Sequence, residues 1–441
     1  MTDRSNQLHQ LQQKHPCFIY ESYSYDAQQG DFRCAFSFRI TSNDGNSDLV
    51  FHPHVTIHDI DPKRIKMLET QFPNLLSSLV FSLGMIETIS YWKAACSPEL
   101  AVYAGPLSAA QVSWWQKLYE NGLGEFYAVN GIERVIPRIV RTAQKSINAP
   151  RPAMLAPQNR HLVPIGGGKD SAVVLDMLLK RSSSANAETI AAISLNPTPA
   201  TRRIVQVASE HYAQPHIPLI TASRAIEPLL LQLNAQGYLN GHTPFSAYLA
   251  FLTILIATLF DYQHIAVANE SSANEPTMVY RGVPVNHQYS KSSDFERRFR
   301  AYVKRYLITD INYKSVLRRY RELDIIKRFA GMPWYHNAFL SCNRAQQDGT
   351  AWCGQCPKCL FTYIGLSAFL APQKVEALFK KNLLTDEGLL PLLKQLSHPS
   401  HDKPFECIGT KAETREALSL AVASYRSHNM AVPPLLRYEI T

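Results

Sequence analysis

The sequence predicts an α/β fold, in which a parallel-sheet domain follows an N-terminal α+β domain. Two patterns carry this prediction. After residue 156, short apolar segments typical of buried strands alternate with helical segments, as in a parallel sheet covered by helices. Before residue 150, two aromatic-rich segments with strand-like alternation precede a long helical stretch. The predicted domains are residues 1–150 and 156–441, with the proline-rich sequence APRPAMLAPQNR at their boundary.

Length and composition exclude several protein classes. A chain of 441 residues is long enough for two or three domains of about 150 residues each. Its 46% hydrophobic and 18% charged content excludes a collagen-like or largely disordered chain. The apolar stretch Phe245–Phe260 is shorter than the roughly 20 residues of a membrane span, and the N-terminus lacks a signal-peptide pattern. We therefore expect a soluble, cytoplasmic protein that is not embedded in a membrane.

The first domain is expected to begin with strands and continue with helices. Within residues 17–58, the segments CFIYESYSY and FRCAFSFRI are rich in aromatic and β-branched residues, which favours strands. Residues 63–122 are predicted to be helical, because apolar residues in LLSSLVFSLGMIETISYWKAA recur at helical spacing. The segment SAAQVSWWQKLYENG ends on Asn-Gly, a pair expected just past a helix C-terminus.

The second domain is expected to alternate strands and helices. The predicted strands are HLVPIGG, TIAAISLN, HIPLITA and HIAVANE, and the predicted helices are SAVVLDMLLK, RAIEPLLLQLNAQG and FSAYLAFLTILIATLFDYQ. In such sheets ligands bind beyond the carboxyl ends of the strands. The loops that follow Ile165, Leu195 and Ala268 are therefore expected to face the binding site.

A glycine-rich loop between a strand and a helix gives the strongest functional signal. Its residues are Gly166, Gly167, Gly168, Lys169, Asp170 and Ser171. Glycines allow the backbone to approach a phosphate closely, and the following helix N-terminus presents unpaired N–H groups to an anion. Lys169 and Ser171 can add a positive charge and a hydroxyl donor, and Asp170 can cap the helix or hold Mg²⁺. The loop is not a Walker A motif, and a glycine-rich turn without a ligand is the alternative.

Four of the eight cysteines are clustered within eighteen positions: Cys342, Cys353, Cys356 and Cys359. Four thiolates at this spacing can close a tetrahedral shell around a structural Zn²⁺. A [4Fe–4S] cluster, a redox Cys-x-x-Cys pair and unliganded core thiols are the alternatives.

Polar clusters follow the fourth predicted strand. Asn269 and Glu270 come directly after that strand, and His287 and Lys291 lie in the polar run VNHQYSKS further on. Glu270 is placed to act as a Mg²⁺ ligand or a general base. His242 lies just before the long apolar helix and is a further candidate. For each of these residues the alternative is a surface loop, a helix cap or a hydrogen-bonded core residue.

Positive charge is concentrated in one segment. The chain carries a net charge of +9, and residues 291–328 contain 12 Lys/Arg against 5 Asp/Glu. Such a segment favours an anionic partner such as nucleic acid, a nucleotide or a phosphorylated substrate. A solvated helix face is equally compatible, because acidic residues are interspersed.

The glycine-rich loop resembles the S-G-G-x-D-S loop of the ATP pyrophosphatase (PP-loop) superfamily, with Gly166 in place of the first Ser. The cysteine array is similar to that of the QueC-like 7-cyano-7-deazaguanine synthases. Taken together, several segments resemble the UDP-N-acetylmuramoyl-L-alanyl-L-glutamate epimerases (MurL): ISYWKAACSPEL, EFYAVNGI, IGGGKDS, NGHTPFSA, NESSAN, VNHQYSKS and WCGQCPKCLFTY.

The MurL resemblance implies a reaction in peptidoglycan precursor synthesis. ATP and UDP-MurNAc-L-Ala-L-Glu would give AMP, diphosphate and the D-Glu epimer through an acyl-adenylate. It implies that residues 166–171 with Asn269 bind ATP, that Asp170 holds Mg²⁺, and that the four cysteines hold structural Zn²⁺. The first domain would bind the substrate, with His287, Lys291 and Glu270 as catalytic candidates. The resemblance also suggests that the chain acts with the ligase that makes the L-Glu precursor, and it does not favour a nucleic-acid partner.

Two other function classes fit parts of the sequence. The basic segment and the QueC-like cysteines also suit a PP-loop enzyme that modifies RNA or a free base. A non-catalytic module that binds zinc and a nucleotide is the third class. Steeply salt-dependent affinity for RNA would distinguish the RNA enzyme, and ATP binding without turnover would distinguish the module.

Overall fold

The computed structural model describes residues 3–45, 47–141, 152–181, 189–212, 217–348 and 351–438. The domain boundary predicted at residue 150 lies outside the described residues. Two compact units can be distinguished. Unit 1 comprises Met1–Asn159, Ile220–Ile265 and Gln288–Tyr313, and unit 2 comprises Arg160–Leu219, Ala266–His287 and Lys314–Thr441.

Residues up to 141 form both strands and helices. In chain order these are α1 (Asp3–Lys14), β1 (Cys17–Gln28), β2 (Asp31–Ile40), β3 (Leu49–Phe51), β4 (His54–Ile57), α2 (Pro62–Gln71), α3 (Leu75–Trp92), β5 (Glu99–Val102), α4 (Ala109–Gly122), α5 (Gly124–Asn130) and β6 (Arg138–Arg141).

Strands and helices alternate in the next part of the chain. They are β7 (His161–Pro164), α6 (Lys169–Arg181), β8 (Ile190–Leu195), α7 (Pro199–His211), β9 (Leu219–Arg224), α8 (Pro228–Ala235), α9 (Phe245–Phe260), β10 (His264–Val267), β11 (Met278–Tyr280), β12 (Val283–Val285), α10 (Ser293–Tyr306) and β13 (Asn312–Ser315).

The C-terminal part is helical. It contains α11 (Glu322–Ala330), α12 (Asn343–Asp348), α13 (Pro357–Ser367), α14 (Pro372–Phe379), α15 (Leu390–Ser397), α16 (Lys411–Ser427) and α17 (Pro434–Tyr438). The mixed α/β class predicted from the sequence is therefore confirmed.

Unit 1 is built on a long antiparallel hairpin. Strands β1 and β2 pair from Phe18 opposite Ile40 to Gln28 opposite Asp31. β5 pairs in parallel with β1, and β6 in parallel with β5. β4 joins the other side of β2, and β9 pairs antiparallel with β4. The prediction that residues 63–122 are helical is wrong at β5: Cys96 has φ +49, which ends the helical path, and the next residues extend to pair with β1.

Helix α3 forms the centre of unit 1. Among the described residues it is the helix long and apolar enough to cross a membrane, but 83% of it is buried, as in the core helix of a soluble protein. It packs against β1, β2 and α9. Gly84 of α3 allows close approach to the hairpin, because a Cβ there would lie 2.8 Å from Cδ1 of Phe36 and even closer to the Tyr20 hydroxyl.

Unit 2 places a strand-loop-helix element at its centre. Strands β7 and β8 are parallel, with His161 opposite Ile190 and Pro164 opposite Ile193. Helix α6 follows β7 after three glycines and buries Val173, Val174 and their apolar neighbours. Helix α11 packs against α6, and it also contacts α13 and α16. The core of the unit therefore lies between the parallel strands and the C-terminal helices.

The individual strands and helices that were predicted after residue 160 are confirmed. The strands β7, β8, β9 and β10 and the helices α6, α8 and α9 coincide with the predicted segments. The prediction lacked α7, although this helix buries Ile204 and Val205. It named no individual elements after β10, so the hairpin β11–β12, α10, β13 and the C-terminal helices come from the structure alone.

Gly84→Ala should destabilise the protein. Alanine favours a helix over glycine by about 1 kcal/mol, but overpacking of a core typically costs about 1–3 kcal/mol, and here the added methyl would meet the fully buried Tyr20. We expect the Tm to fall by several degrees, measured by intrinsic fluorescence on heating. Thr70→Ala, an exposed substitution in α2, is the control and should leave the Tm unchanged or raise it slightly. An unchanged Tm for Gly84→Ala would contradict the packing argument.

Candidate functional site

The glycine-rich loop lies at the carboxyl end of β7, as the sequence predicts. The backbone N–H of Ile165 donates to the carbonyl of Ile193 at 2.8 Å, which ties the start of the loop to β8. Gly167 has φ +84, and a Cβ there would lie 2.9 Å from Cβ of Ala200 and 3.1 Å from the backbone nitrogen of Thr201. A side chain is excluded at this position by both conformation and space. The glycine-rich loop therefore lies against the first turn of α7, the helix that follows β8.

Gly166 is the position where the PP-loop pattern has a serine. It is exposed, and a Cβ would meet nothing within 4 Å. The loop therefore has room for a larger group at its mouth. Nothing in the packing requires glycine here, so the departure from the pattern is not imposed by the fold.

Lys169 and Ser171 are buried, whereas Asp170 is half-exposed. The ammonium of Lys169 pairs with Oδ1 of Asp170 at 2.6 Å and with the carboxylate of Glu322, the first residue of α11. Burial opposes the charge of Lys169, but the two carboxylates outweigh it and raise the pKa of the lysine. The hydroxyl of Ser171 donates to the carbonyl of Gly168 at 3.2 Å.

Glu322 is a site residue that the sequence analysis missed. Its side chain is buried, and burial together with the nearby charge of Asp170 raises its pKa to about 8. Lys169 acts in the opposite direction and Glu270 in the same direction as Asp170. No local pattern identifies Glu322, because its partner lies 153 positions away in the sequence. Only the packing of α11 on α6 brings the two together.

Asn269 and Glu270 follow β10 and are both buried. The side-chain amide of Asn269 donates to the hydroxyl of Ser315 at 3.1 Å. The carboxylate of Glu270 accepts from the hydroxyl of Ser272 at 3.3 Å, and its backbone carbonyl accepts from the guanidinium of Arg318 at 2.9 Å. Glu270 also interacts electrostatically with Glu322. Glu270 therefore lies on the side of unit 2 that carries the glycine-rich loop.

The remaining candidates are divided between the two units. His287 belongs to unit 2, where its Nε2 lies 3.9 Å from Sγ of Cys407. Lys291 belongs to unit 1 and ends a short 3₁₀ turn before α10. His242, also in unit 1, pairs with Glu125 at 3.1 Å. Geometry within unit 2 therefore links Glu270 to the loop and gives His287 a thiol neighbour.

The four clustered cysteines form a compact sulfur shell in unit 2. Their Sγ atoms all lie within 4.8 Å of one another, with separations of 3.9 Å for Cys342–Cys356, 3.7 Å for Cys353–Cys359 and 3.5 Å for Cys356–Cys359. A tetrahedral Zn²⁺ site with Zn–S bonds of ~2.3 Å has sulfur atoms about 3.8 Å apart. These cysteines could therefore hold a structural metal ion such as zinc.

Local structure supports this shell. Cys356 and Cys359 lie at the start of α13, with Pro357 in its first turn, and Gly354 has φ +70 in the turn before it. Hydrogen bonds from Cys359 and its other sulfur neighbours lower the pKa of Cys356 to about 5. This direction favours the thiolate form that metal ions bind.

The cysteine shell is joined to the glycine-rich loop through a short segment. The backbone N–H of Leu340 donates to the carbonyl of Gly167 at 2.8 Å, and Ser341 Oγ lies 3.2 Å from the position of a Cβ on Gly168. Cys342 follows directly. A metal ion held by the shell would therefore fix the segment that lines the glycine-rich loop.

Part of the basic segment is neutralised within the fold. Arg321 pairs with Asp324 at 3.2 Å and with Glu416 at 2.8 Å, and Arg318 donates to Ser315 at 3.2 Å and to the carbonyl of Glu270. Arg297 pairs with Asp294 at 2.5 Å. These contacts weaken the case for a continuous cationic surface.

Comparison with known proteins places the chain in a family. The MurL N-terminal domain matches residues 9–316, and the MurL C-terminal domain matches residues 338–439. The N-terminal family domain thus extends beyond the glycine-rich loop.

Three curated relatives carry the name UDP-N-acetyl-alpha-D-muramoyl-L-alanyl-L-glutamate epimerase. The protein from Salinispora tropica is 30% identical over 91% of this chain and 84% of its own length. The one from Xanthomonas oryzae is 33% identical over 77% and 73%, and the one from a Micromonospora species is 31% identical over 91% and 86%. The chain therefore belongs to the MurL family of epimerases.

Proposed function

We propose that this chain converts the terminal L-Glu of UDP-MurNAc-L-Ala-L-Glu to D-Glu in an ATP-dependent reaction. The acyl-adenylate of the substrate is the intermediate, and AMP and diphosphate are released. The observation that carries the ATP dependence is the glycine-rich loop at the end of β7, with the buried Lys169 held between Asp170 and Glu322. The names of the relatives supply the substrate.

The loop has the properties that a PP-loop triphosphate site needs. Its backbone can approach a phosphate because Gly167 carries no side chain, and Gly166 leaves the mouth open. The N-terminus of α6 supplies N–H groups and a positive dipole end. Residues 166–171 and Asn269 form the proposed ATP site. Mg²⁺ held by Asp170 would neutralise part of the triphosphate charge.

Adenylation explains how the α-proton becomes removable. A free carboxylate next to Cα opposes the carbanion, because a second negative charge would develop beside the first. The mixed anhydride with AMP removes that charge and withdraws electrons, so Cα–H becomes more acidic. One group then removes the proton, another returns a proton to the opposite face, and hydrolysis releases AMP. His287, Lys291 and Glu270 remain the proposed catalytic residues.

The same proposal assigns the metal ion, the role of each domain and the process in the cell to which the protein contributes. The four cysteines hold a structural Zn²⁺, which agrees with the sulfur separations of 3.5–3.9 Å. Residues 1–150 bind the substrate and residues 156–441 carry the PP-loop catalytic domain. The protein acts in the cytoplasm in peptidoglycan precursor synthesis, in sequence with the ligase that makes the L-Glu precursor.

Substitution of the loop should abolish activation of the carboxylate. Asp170→Asn is expected to lower substrate-dependent ATP–diphosphate exchange by roughly 100-fold or more, because the site loses the carboxylate proposed to hold Mg²⁺ against the triphosphate. Ser171→Ala should also block release of diphosphate. Asp324→Asn is the matched control, since Asp324 lies in the first turn of α11 as Asp170 does in α6, and it should keep normal exchange. Near-normal exchange in the Asp170 variant would remove this loop from the active site.

The cysteine shell should contain one zinc ion per chain. Cys356→Ser should release the metal and lower the Tm, because loss of one ligand opens the shell. Elemental analysis of the purified protein and of the variant measures the zinc content, and thermal unfolding measures the Tm. Cys17→Ser is the control, because Cys17 lies in β1 of unit 1, and it should keep its zinc. Iron in the unmodified protein, or no metal at all, would defeat the zinc assignment.

Single substitutions should abolish proton transfer without abolishing adenylation. We expect His287→Ala or Lys291→Ala, or both, to keep ATP–diphosphate exchange and to lose incorporation of solvent deuterium at the glutamate α-carbon. Glu270→Ala should lose both activities if Glu270 holds Mg²⁺ beside the loop. Mass spectrometry of the recovered glutamate and chiral analysis measure the outcome. Full deuterium incorporation by both the His287 and Lys291 variants would exclude each as an essential base.

A further inference from the structure

Cys407 and His287 form a thiol–imidazole pair in unit 2. Sγ of Cys407 lies 3.9 Å from Nε2 of His287, and both side chains are half-buried. Cys407 belongs to the loop between α15 and α16, whose Phe405 ring packs 6.1 Å from the imidazole ring. A cysteine within reach of a base is the arrangement that holds a thiolate ready for chemistry.

Lys403, on the same loop, adds a buried positive charge to this pair. Its side chain is 7% exposed, and its ammonium donates to the carbonyl of Ile408 at 3.2 Å and lies 3.9 Å from Glu275. It also interacts electrostatically with Cys407. Burial lowers the pKa of Lys403, and its acidic neighbours, Glu275 first among them, oppose that effect. A cation and an imidazole beside the same sulfur both favour the thiolate.

Glu270 connects this cluster to the glycine-rich loop. It interacts electrostatically with Lys403, and also with Glu322, which binds Lys169. Through Glu270 the cluster is therefore coupled electrostatically to the Lys169–Glu322 pair beside the glycine-rich loop.

Three other cysteines of the chain have surroundings that disfavour the thiolate. Cys34 and Cys96 are fully buried, and burial raises the pKa of both thiols. Cys17 is half-buried, but its Sγ donates to the carbonyl of Phe18 at 3.6 Å, and burial raises its pKa. Cys407 differs because an imidazole nitrogen lies 3.9 Å from its sulfur and Lys403 interacts with it electrostatically.

We propose that Cys407 is the base that removes the α-proton of the activated glutamyl group. The inference rests on the proposed function. The Cys407 thiolate takes the proton from Cα and becomes a thiol, and the electron pair of the C–H bond passes into the acyl group as an enolate. A second acid donates a proton to the opposite face of Cα. Cys407 then passes its proton to His287, which releases it to water, and this restores the thiolate. The acid that protonated Cα takes up a proton from water, so every group returns to its starting state. In this scheme Cys407 is a catalytic residue, and His287 and Lys403 are positioning residues that act through it.

The first test compares Cys407→Ser and Cys407→Ala with Cys17→Ala in the full-length protein, given UDP-MurNAc-L-Ala-L-Glu and ATP. Both Cys407 variants should lose deuterium incorporation at the glutamate α-carbon by roughly 100-fold or more, the size of a general-base contribution. Both should keep ATP–diphosphate exchange, and this also shows that they are folded. Cys17→Ala should resemble the unmodified protein in both assays.

Serine keeps the size and hydrogen-bonding ability of cysteine but cannot form the anion near neutral pH. A merely structural role for Cys407 would therefore be preserved in Cys407→Ser, and deuterium incorporation at the unmodified rate in that variant overturns the inference. Absence of ATP–diphosphate exchange in the unmodified protein is a different result, because it counts against the proposed function.

The second test measures the thiolate directly. Limited iodoacetamide treatment at neutral pH, followed by peptide mass spectrometry, should label Cys407 at least about tenfold faster than Cys17. The labelling of Cys407 should slow in His287→Ala and in Lys403→Met, because each removes a group that favours the thiolate. Equal labelling rates for Cys407 and Cys17 in the unmodified protein overturn the inference, whether or not the protein epimerises the substrate.

Discussion

A buried lysine holds the candidate site of unit 2 together. Lys169 extends from the first turn of α6 into the core and pairs with Asp170 beside it and with Glu322 at the start of α11. Removal of one partner from a buried ion pair typically costs about 3–5 kcal/mol, because the other charge remains unpaired in a poorly solvated place. The pair therefore fixes α11 against the glycine-rich loop. It also determines the charge beside the loop, where two carboxylates face one ammonium. Burial raises the pKa of Glu322, one of these carboxylates, to about 8.

The cysteine shell supports the same loop from another direction. Leu340 donates to the carbonyl of Gly167, and Cys342 follows two residues later, so the shell and the loop share one short segment of chain. A metal ion that closes the shell would thus do more than stabilise α13. It would limit the movement of the backbone that lines the proposed triphosphate site.

Charge organises the remaining part of the site. Glu270 interacts with Glu322 on one side and with Lys403 on the other, so one buried carboxylate links the proposed ATP site to the cluster around Cys407. The two carboxylates, Glu322 and Glu270, interact with each other, and each also interacts with an ammonium group, Lys169 for Glu322 and Lys403 for Glu270. The basic segment of the sequence is used in the same way: Arg318 and Arg321 bind acceptors within unit 2 and so contribute to packing as well as to surface charge.

The sequence by itself determined the local parts of this protein. The strand, three glycines and helix around Gly167, and the cysteine spacing at Cys353–Cys359, are short-range patterns, because neighbouring residues alone dictate a tight turn or a chelating loop. Only the tertiary structure decided that Glu322 reaches Lys169 across 153 positions and that Cys407 meets His287 across 120. It also interrupted the predicted helical region at β5, where pairing with β1 overrides local preference. Such contacts depend on how helices and loops pack. Packing depends on the shape and burial of side chains, which leave no regular spacing in the sequence.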